Sequence, residues 1–194
     1  MLREIVLLTP NIISDMFEFD PLPLSGAFTI TLPAFADNRG SFTKVFHEGI
    51  FRDQQIQFDL KESYCSVSRK DVIRGMHFQL PPHQHAKIVF CPHGALLDVL
   101  VDLRKSSSSY GAWCSVELSE GNHKAVYIPE GFAHGFKALT ENAITYYLVS
   151  SVYDAAHDTG ILYNSFGMDW ECPSPEMSER DRSFPCLKDF ESPF

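Results

Sequence analysis

The sequence lacks a long hydrophobic run and an excess of positive charge. No apolar stretch approaches the roughly 20 residues of a membrane-spanning helix. The short run at residues 5–8 is soon followed by Pro10 and Asp15, unlike a secretory signal. The formal net charge of −9 argues against nucleic acid or an acidic membrane surface as the main partner. We therefore expect a cytoplasmic protein that binds neither, although locally grouped basic residues could still hold an anionic substrate.

Closely spaced cysteines are also missing. The chain has five cysteines, an odd number, and none forms a Cys-x-x-Cys pair. A disulfide framework normally needs an even set, and a structural zinc site normally needs such pairs. We therefore predict reduced thiols at Cys65, Cys91, Cys114, Cys172 and Cys186.

The composition is sufficient for one folded domain. The 194 residues are 44% hydrophobic and 13% aromatic, which excludes disorder for most of the chain. Short strand patterns separated by turn residues recur along it, which is typical of an all-β sandwich or barrel and not of alternating β/α units. We predict a single domain, residues 1–194, with an N-terminal arm (1–27), a barrel (28–153) and a C-terminal segment packing over the barrel (154–194).

The predicted strands follow the apolar alternation and end at turn residues. They cover residues 28–35, 41–47, 64–67, 72–78, 86–91, 95–103, 111–118, 125–128, 135–139 and 143–151. The pattern also predicts two short peripheral helices. One covers residues 48–56, and the other lies within 173–182 and begins at Ser174 or Ser178.

Histidines are concentrated in one stretch, residues 74–94. Four of the eight lie there, at His77, His83, His85 and His93. A fifth, His134, follows on a tight Pro/Gly turn. Because imidazole titrates near neutrality, clustered histidines indicate either metal ligation or proton transfer.

The metal interpretation depends on two motifs of the metal-binding cupins. His83 and His85 supply a His-x-His pair, and His134 ends a Pro-x-Gly-x-x-His motif. In those cupins the third ligand is a glutamate, and counting back from Gly94 places Lys87 there. An ammonium group cannot ligate a cation. A three-histidine site stays open, but we predict no metal and no cofactor, with His83, His85 and His93 at the surface or rim.

A proton-transfer site explains the same residues better. A neutral imidazole, a fixed cation and a phenol can remove a proton beside a carbonyl, hold the enolate and return the proton elsewhere. His77 is the candidate base, accompanied by Arg74 and Lys87. On a regular strand, however, Arg74 shares a face with Met76 and Phe78, while His77 falls on the other. A bulge or bend is needed for Arg74 and His77 to meet one ligand.

Five motifs follow one another along residues 35 to about 183. They are Asp37-Asn-Arg-Gly-Ser-Phe, Val72-Ile-Arg-Gly-Met-His-Phe-Gln, Leu97-Asp-Val-Leu-Val-Asp-Leu-Arg104, Gly111-Ala-Trp113 and Ile128-Pro-Glu-Gly-Phe-Ala-His-Gly-Phe136. In this order they resemble the dTDP-4-dehydrorhamnose 3,5-epimerase family. The resemblance implies a double-stranded β-helix (jelly-roll cupin), homodimeric and metal-free, that acts on nucleotide-linked 4-keto-6-deoxyhexoses in deoxysugar and cell-surface polysaccharide biosynthesis.

The resemblance also implies catalytic roles. His77 matches the base, and Asp181 the carboxylate that orients it. Tyr147 matches the acid on the opposite face of the sugar. Tyr146 is a possible register error, because adjacent strand residues face opposite ways. Lys87 and His134 match the groups that hold the C4 oxygen as it becomes an enolate.

Substrate binding is assigned in the same way. Arg39 and Arg74 match residues near the diphosphate, where guanidinium groups suit phosphate oxygens. The other predicted substrate-binding residues are Gln79, Lys44, Glu62 and Tyr64. Lys44 stands where the rhamnose-pathway enzymes usually have glutamate, and Glu62 and Tyr64 replace glutamine and asparagine. These departures leave open whether the nucleotide is dTDP, CDP or GDP.

Other functions stay open at this point. The nearest rival is a cupin 3,4-ketoisomerase, which returns the proton to oxygen or to the same face. A metal-dependent cupin oxygenase and a non-catalytic sugar-binding cupin are alternatives from other classes. The sequence also leaves open whether C3, C5 or both are inverted. Trp113 and Trp170 are expected in the core or an interface.

Overall fold

A computed structural model describes residues 17–194 of the chain. Most of its elements are strands: β1 (Glu18–Pro21), β2 (Phe28–Thr31), β3 (Ala34–Asp37), β4 (Gly40–Thr43), β5 (Glu62–Ser68), β6 (Ile73–Gln79), β7 (Lys87–His93), β8 (Ala95–Asp102), β9 (Trp113–Ser119), β10 (Lys124–Ile128), β11 (Phe132–Ala138), β12 (Ala143–Val149) and β13 (Asp158–Gly160). The helices are short: α1 (Glu48–Asp53), α2 (Glu179–Arg182) and a 3₁₀ helix (Leu187–Asp189). No helix within residues 17–194 is long and apolar enough to cross a membrane.

Two antiparallel sheets face each other across a common core. The six-stranded sheet has the order β1-β2-β10-β7-β12-β5, and the five-stranded sheet has the order β13-β6-β11-β8-β9. Residues of both sheets, among them Val89, Leu100 and Phe136, form one buried cluster between them. The hairpin of β3 and β4 pairs with neither sheet. This is the all-β jelly-roll cupin that the sequence predicted.

The outer faces of both sheets are covered too. On β8, Leu96 and Leu100 point into the inner cluster, while Val99 and Val101 belong to an outer cluster that also contains Trp170 of the C-terminal segment. Because side chains alternate along a strand, a strand buried on both faces has a nearly continuous apolar sequence. The C-terminal segment therefore lies against the outer face of the five-stranded sheet. There α2 meets β6: the backbone N–H of Gly75 donates to the Asp181 carboxylate at 3.1 Å.

Several element boundaries differ from the prediction. The predicted strand at 28–35 is divided into β2 and β3 around Pro33, since proline has no N–H for a sheet ladder. The second predicted strand ends early, at Thr43, and α1 ends at Asp53. β13 was not predicted, because three residues carry too little alternation. Residues 1–16 of the predicted arm lie outside the described residues.

Other expectations are confirmed. All five cysteines are free. Ser178 begins the predicted C-terminal helix, and its hydroxyl accepts a hydrogen bond from the backbone N–H of Asp181 at 3.0 Å. Trp170 is buried in the core as expected, whereas Trp113 is exposed.

Candidate active site

A cavity of about 330 Å³ opens between the sheets. Strands of both sheets and the C-terminal segment line it, because the inward face of a jelly roll collects side chains that are far apart in sequence. The predicted residues that line it are His77, Lys87, His134, Tyr147, Arg74, Gln79, Glu62 and Tyr64. Asp181 lies behind His77, outside the cavity lining.

His77 and Asp181 form a hydrogen-bonded pair. Nε2 of His77 lies 2.9 Å from Oδ1 of Asp181, although 104 positions separate the two residues. Oδ2 of Asp181 accepts the hydrogen bond from Gly75, so both carboxylate oxygens are engaged. Burial opposes ionisation of Asp181, but these hydrogen bonds and that of Ser178 outweigh it and lower its pKa. The pair leaves Nδ1 of His77 free of protein partners in the described structure.

An irregularity in β6 brings Arg74 and His77 to the same cavity. His77 pairs with His134 of β11, whereas Arg74 pairs with Phe136, so between these pairs two residues on β6 oppose one on β11. Gly75 between them has φ +145°, and a Cβ there would lie 2.6 Å from Cα of Gly135. Only glycine fits such a close backbone approach. The bulge that the sequence required is present.

A second histidine–carboxylate pair was not predicted. His134 lies inside β11, not on a turn, and its Nε2 is 2.5 Å and 2.8 Å from the two oxygens of Asp98. Both side chains are buried. Burial lowers the pKa of His134, and the Asp98 carboxylate opposes that shift. The sequence contained one indication of this pair, because Asp98 is an acidic residue within the apolar strand pattern around Leu97.

Lys87 is a buried cation beside the first pair. Its Nζ donates to the backbone oxygen of His77 at 3.2 Å. Burial lowers the pKa of the ammonium to about 8, against the opposing charges of Asp98 and Asp158. The group is therefore largely charged at neutral pH and can release its proton readily.

The structure decides between the two adjacent tyrosines. Tyr147 lines the cavity, stacks on Tyr64 with ring centroids 4.7 Å apart, and lies 5.9 Å from the His134 ring. Burial raises its pKa well above the ordinary value. Tyr146 packs on Phe90 outside the inner cluster. Tyr147 is thus the phenol that reaches the cavity.

His85, which was predicted at the surface or rim, is half-buried and lines the cavity. Gln79 Nε2 lies 2.8 Å from the His83 carbonyl, 3.0 Å from Nδ1 of His85 and 3.2 Å from the Val152 carbonyl, so its two N–H groups face three partners. Burial, with the nearby charge of Lys87, lowers the pKa of His85 to about 3. His85 is therefore neutral. His83 is only partly exposed, and His93 is exposed and pairs with Glu120.

Two predicted substrate-binding residues are absent from this cavity. Arg39 and Lys44 lie along the hairpin of β3 and β4, and the Arg39 side chain is 85% exposed and pairs with Asp37. The resemblance placed both at the substrate, but the order of motifs along the chain does not show where a hairpin lies relative to the cavity. Conversely, Arg180 was not among the predicted substrate-binding residues. It lines the cavity with Arg74 and pairs with Asp158 at 2.6 Å.

The groups around this cavity can move protons to and from carbon. A histidine hydrogen-bonded to a carboxylate stands on the five-stranded sheet, and a phenol stands on the six-stranded sheet, where the neighbouring strand β7 carries a buried cation. A jelly-roll barrel equipped in this way is a carbohydrate epimerase of the cupin class.

Comparison with known proteins gives the family. The family model described as dTDP-4-dehydrorhamnose 3,5-epimerase matches residues 21–189. The enzyme of that name from Methanothermobacter thermautotrophicus is 37% identical over 178 residues, which are 89% of this chain and 96% of that protein. The chain belongs to the dTDP-4-dehydrorhamnose 3,5-epimerase family.

Solved structures agree with this assignment. The dTDP-4-dehydrorhamnose 3,5-epimerase of Sulfolobus tokodaii is 39% identical, with a TM-score of 0.85, and the match covers 91% of this chain and 98% of that one. A 3'-monoepimerase from Streptomyces bikiniensis, solved with dTDP-quinovose, is 31% identical with a TM-score of 0.83, and the match covers 87% of each chain. The chain is therefore similar both to a relative named as a 3'-monoepimerase and to relatives named as 3,5-epimerases.

Proposed function

We propose that this epimerase inverts C3, C5 or both in a nucleotide-linked 4-keto-6-deoxyhexose, as a cytoplasmic step of deoxysugar biosynthesis. The observation that carries the proposal is the placement of His77, with Asp181 behind it, on the sheet opposite Tyr147. Inversion needs a base on one face of a carbon and an acid on the other. A same-face ketoisomerase needs no second donor. The nucleotide is supported by a relative from Bacillus anthracis, solved with TDP and PPi bound.

The proton transfers follow from the hydrogen bonds. Asp181 holds the hydrogen on Nε2 of His77, so Nδ1 carries the lone pair that removes the proton beside the C4 ketone. The electron pair of the C–H bond moves to the C4 oxygen and forms an enolate. The Lys87 ammonium stabilises the negative charge on this oxygen, and His134, which Asp98 orients, contributes to its binding. Tyr147 then protonates the carbon from the other side, and solvent restores both proton carriers.

The anionic part of the substrate has a separate set of cations. Arg74 and Arg180 both line the cavity and a neighbouring groove that also contains Arg69. Ser68 and the Val67 carbonyl hold the Arg74 guanidinium in place, with Nε–Oγ and Nη2–O distances of 3.0 Å and 3.4 Å. We place the diphosphate at Arg74 and Arg180, because guanidinium groups bind phosphate oxygens in pairs. Although the chain has a net charge of −9, these arginines supply positive charge where we place the negatively charged diphosphate.

Proton NMR in deuterated water tests the reaction and its substrate. A panel of dTDP-, CDP- and GDP-linked 4-keto-6-deoxyhexoses is incubated with the enzyme, and deuterium incorporation at C3 and C5 is followed together with the product configuration. We expect exchange and inversion at one or both carbons for one nucleotide series. Exchange without inversion, or migration of the ketone to C3, would contradict epimerisation and favour a ketoisomerase.

We further propose a homodimer in which the hairpin of β3 and β4 brings Arg39 and Lys44 to the cavity of the partner. Phe42 on this hairpin is 60% exposed. Much of the edge strand β5 is exposed as well, and its Val67 is 56% exposed. Exposed apolar residues of this size favour a protein interface. The inactive variants His77→Ala and Arg39→Ala, coexpressed, should recover activity, because the mixed dimer contains one intact site. No recovery in mixed dimers isolated with two affinity tags would show that Arg39 serves no partner site.

Chelation should leave the reaction intact. Lys87 occupies the place of the carboxylate ligand of metal cupins and lies buried beside His77, where its charge opposes a cation. We expect unchanged turnover after exhaustive treatment with a chelator, measured on the NMR assay with the metal content checked by elemental analysis. If stoichiometric zinc, iron or manganese is lost in parallel with turnover, the proposed mechanism is wrong.

The activity should fall above about pH 8. The cationic form of Lys87 stabilises the enolate, and burial lowers its pKa to about 8, so this form is present below that pH and lost above it. The profile of kcat/KM against pH in the free enzyme should show this limb. In Lys87→Arg the remaining activity should have no such limb, because a guanidinium does not titrate below about pH 12. A limb at the same pH in the arginine variant would assign it to another group.

A further inference from the structure

A group of metal-ligating side chains lies outside the catalytic machinery. Nε2 of His83 is 3.7 Å from Oδ2 of Asp154, and Nδ1 of His157 is 2.8 Å from Oδ1 of the same carboxylate. The two imidazole rings lie 4.4 Å apart. Within residues 17–194 this is the one set of three such residues that offer ligand atoms all within 4.8 Å of one another. From these contacts we propose that His83, Asp154 and His157 form a binding site for a divalent transition metal such as zinc.

The loops that carry the three ligands are already held together. The Asp154 carboxylate accepts from the backbone N–H groups of Ala156 and His157, at 3.0 Å and 3.2 Å, which fixes its orientation. Gln79, which is 2% exposed, joins the two loops: it donates to the His83 carbonyl at 2.8 Å and accepts from the Asp154 N–H at 2.6 Å. A preorganised set of ligands loses little conformational entropy on binding a metal.

The donor set favours a particular kind of ion. Two imidazoles and one carboxylate suit zinc and neighbouring transition metals, whereas magnesium and calcium prefer oxygen ligands. Binding through Nδ1 of His157 would replace its hydrogen bond to Asp154, and the ring would carry its hydrogen on Nε2. The three side chains are about one-third exposed, which gives the ion access from solvent and leaves room for water as a fourth ligand. None of them lines the catalytic cavity.

This site is distinct from the cupin metal motif in the sequence. Of the histidines in that motif, only His83 takes part, and His85 and His134 belong to the catalytic cavity. Asp154 and His157 come from the loop that precedes β13, 71 and more positions after His83. A bound ion would join the loop at His83 to the loop at Asp154, next to the contacts that Gln79 makes.

Isothermal titration with zinc chloride tests the proposal on the full-length protein after chelator treatment and dialysis. We expect one zinc ion per chain in the wild type, and affinity at least about tenfold weaker in His157→Gln and His83→Gln, since even indirect support of a metal ligand is worth that much. His93→Gln is the matched control. It removes an exposed histidine that pairs with one glutamate and has no third ligand nearby, so the binding should not change. Magnesium chloride should give no saturable heat.

Thermal unfolding gives a second readout. Zinc should raise the unfolding temperature of the wild type and of His93→Gln, but not of His157→Gln, because a ligand that binds only the folded state stabilises it. Without zinc, the wild type and His157→Gln should unfold at similar temperatures, which shows that the variant folds. Absence of saturable zinc binding in the wild type would overturn the proposal. Equal binding in His157→Gln, or an equal loss in His93→Gln, would overturn it as well.

Discussion

Replacing Asp181 with asparagine should nearly abolish turnover while substrate affinity and fold are kept. Oδ2 of Asp181 accepts from the Gly75 N–H, so an asparagine would keep its oxygen there and turn its NH₂ group toward Nε2 of His77. Nε2 would then have to accept, and the hydrogen of the neutral imidazole would move to Nδ1. The base would lose the lone pair that removes the substrate proton. Steady-state kinetics should show kcat reduced by up to about 10⁴-fold, as in other histidine–carboxylate pairs, with little change in KM.

The control for this experiment is Glu179→Gln. It makes the same acid-to-amide change on the same short helix, at an exposed residue outside the cavity. Its turnover should stay close to that of the wild type. The separate effects on kcat and KM distinguish orientation from general damage, because a damaged fold would also weaken substrate binding and raise KM. Near-normal turnover in Asp181→Asn would show that Asp181 has only a structural role.

Replacing Tyr147 with phenylalanine should separate inversion from solvent exchange. The ring would keep its stacking on Tyr64, so the cavity should retain its shape. His77 can still form the enolate and return the proton from its own side, which preserves some exchange of the substrate hydrogen in deuterated water. Inversion needs a donor on the opposite face and should fall further than exchange, by roughly 10²–10⁴-fold, the usual contribution of a general acid. NMR measures both rates in one experiment.

Two further variants serve as controls for this experiment. Tyr146→Phe removes a phenol from the neighbouring residue, which packs on Phe90 outside the cavity, and should leave both rates almost unchanged. His77→Ala should lose exchange and inversion together, because no enolate forms. If Tyr147→Phe loses both rates equally, the proton donor is another group.

The sequence by itself determined the architecture and most of the chemical groups. Period-two alternation with frequent turn residues is a local signal, and it sufficed for the all-β fold. Five motifs, among them the runs from Val72 to Gln79 and from Ile128 to Phe136, carried the family resemblance, which in turn implied roles for His77, Lys87 and His134. Cysteine spacing predicted free thiols, which the structure confirms. These inferences depend on residues near one another in the chain, where spacing translates directly into geometry.

Only the tertiary structure decided which groups meet. Asp181 reaches His77 across 104 positions, and Asp98 supports His134 across 36, and no local pattern records such pairings. The chain folds back because apolar residues of the C-terminal segment cover the outer face of a sheet, and this burial carries α2 to β6. A bulge changed which face of β6 the side chains reach, and strand register placed Tyr147, not Tyr146, in the cavity. Register and chain return depend on packing of the whole molecule, so residue spacing alone could not give them.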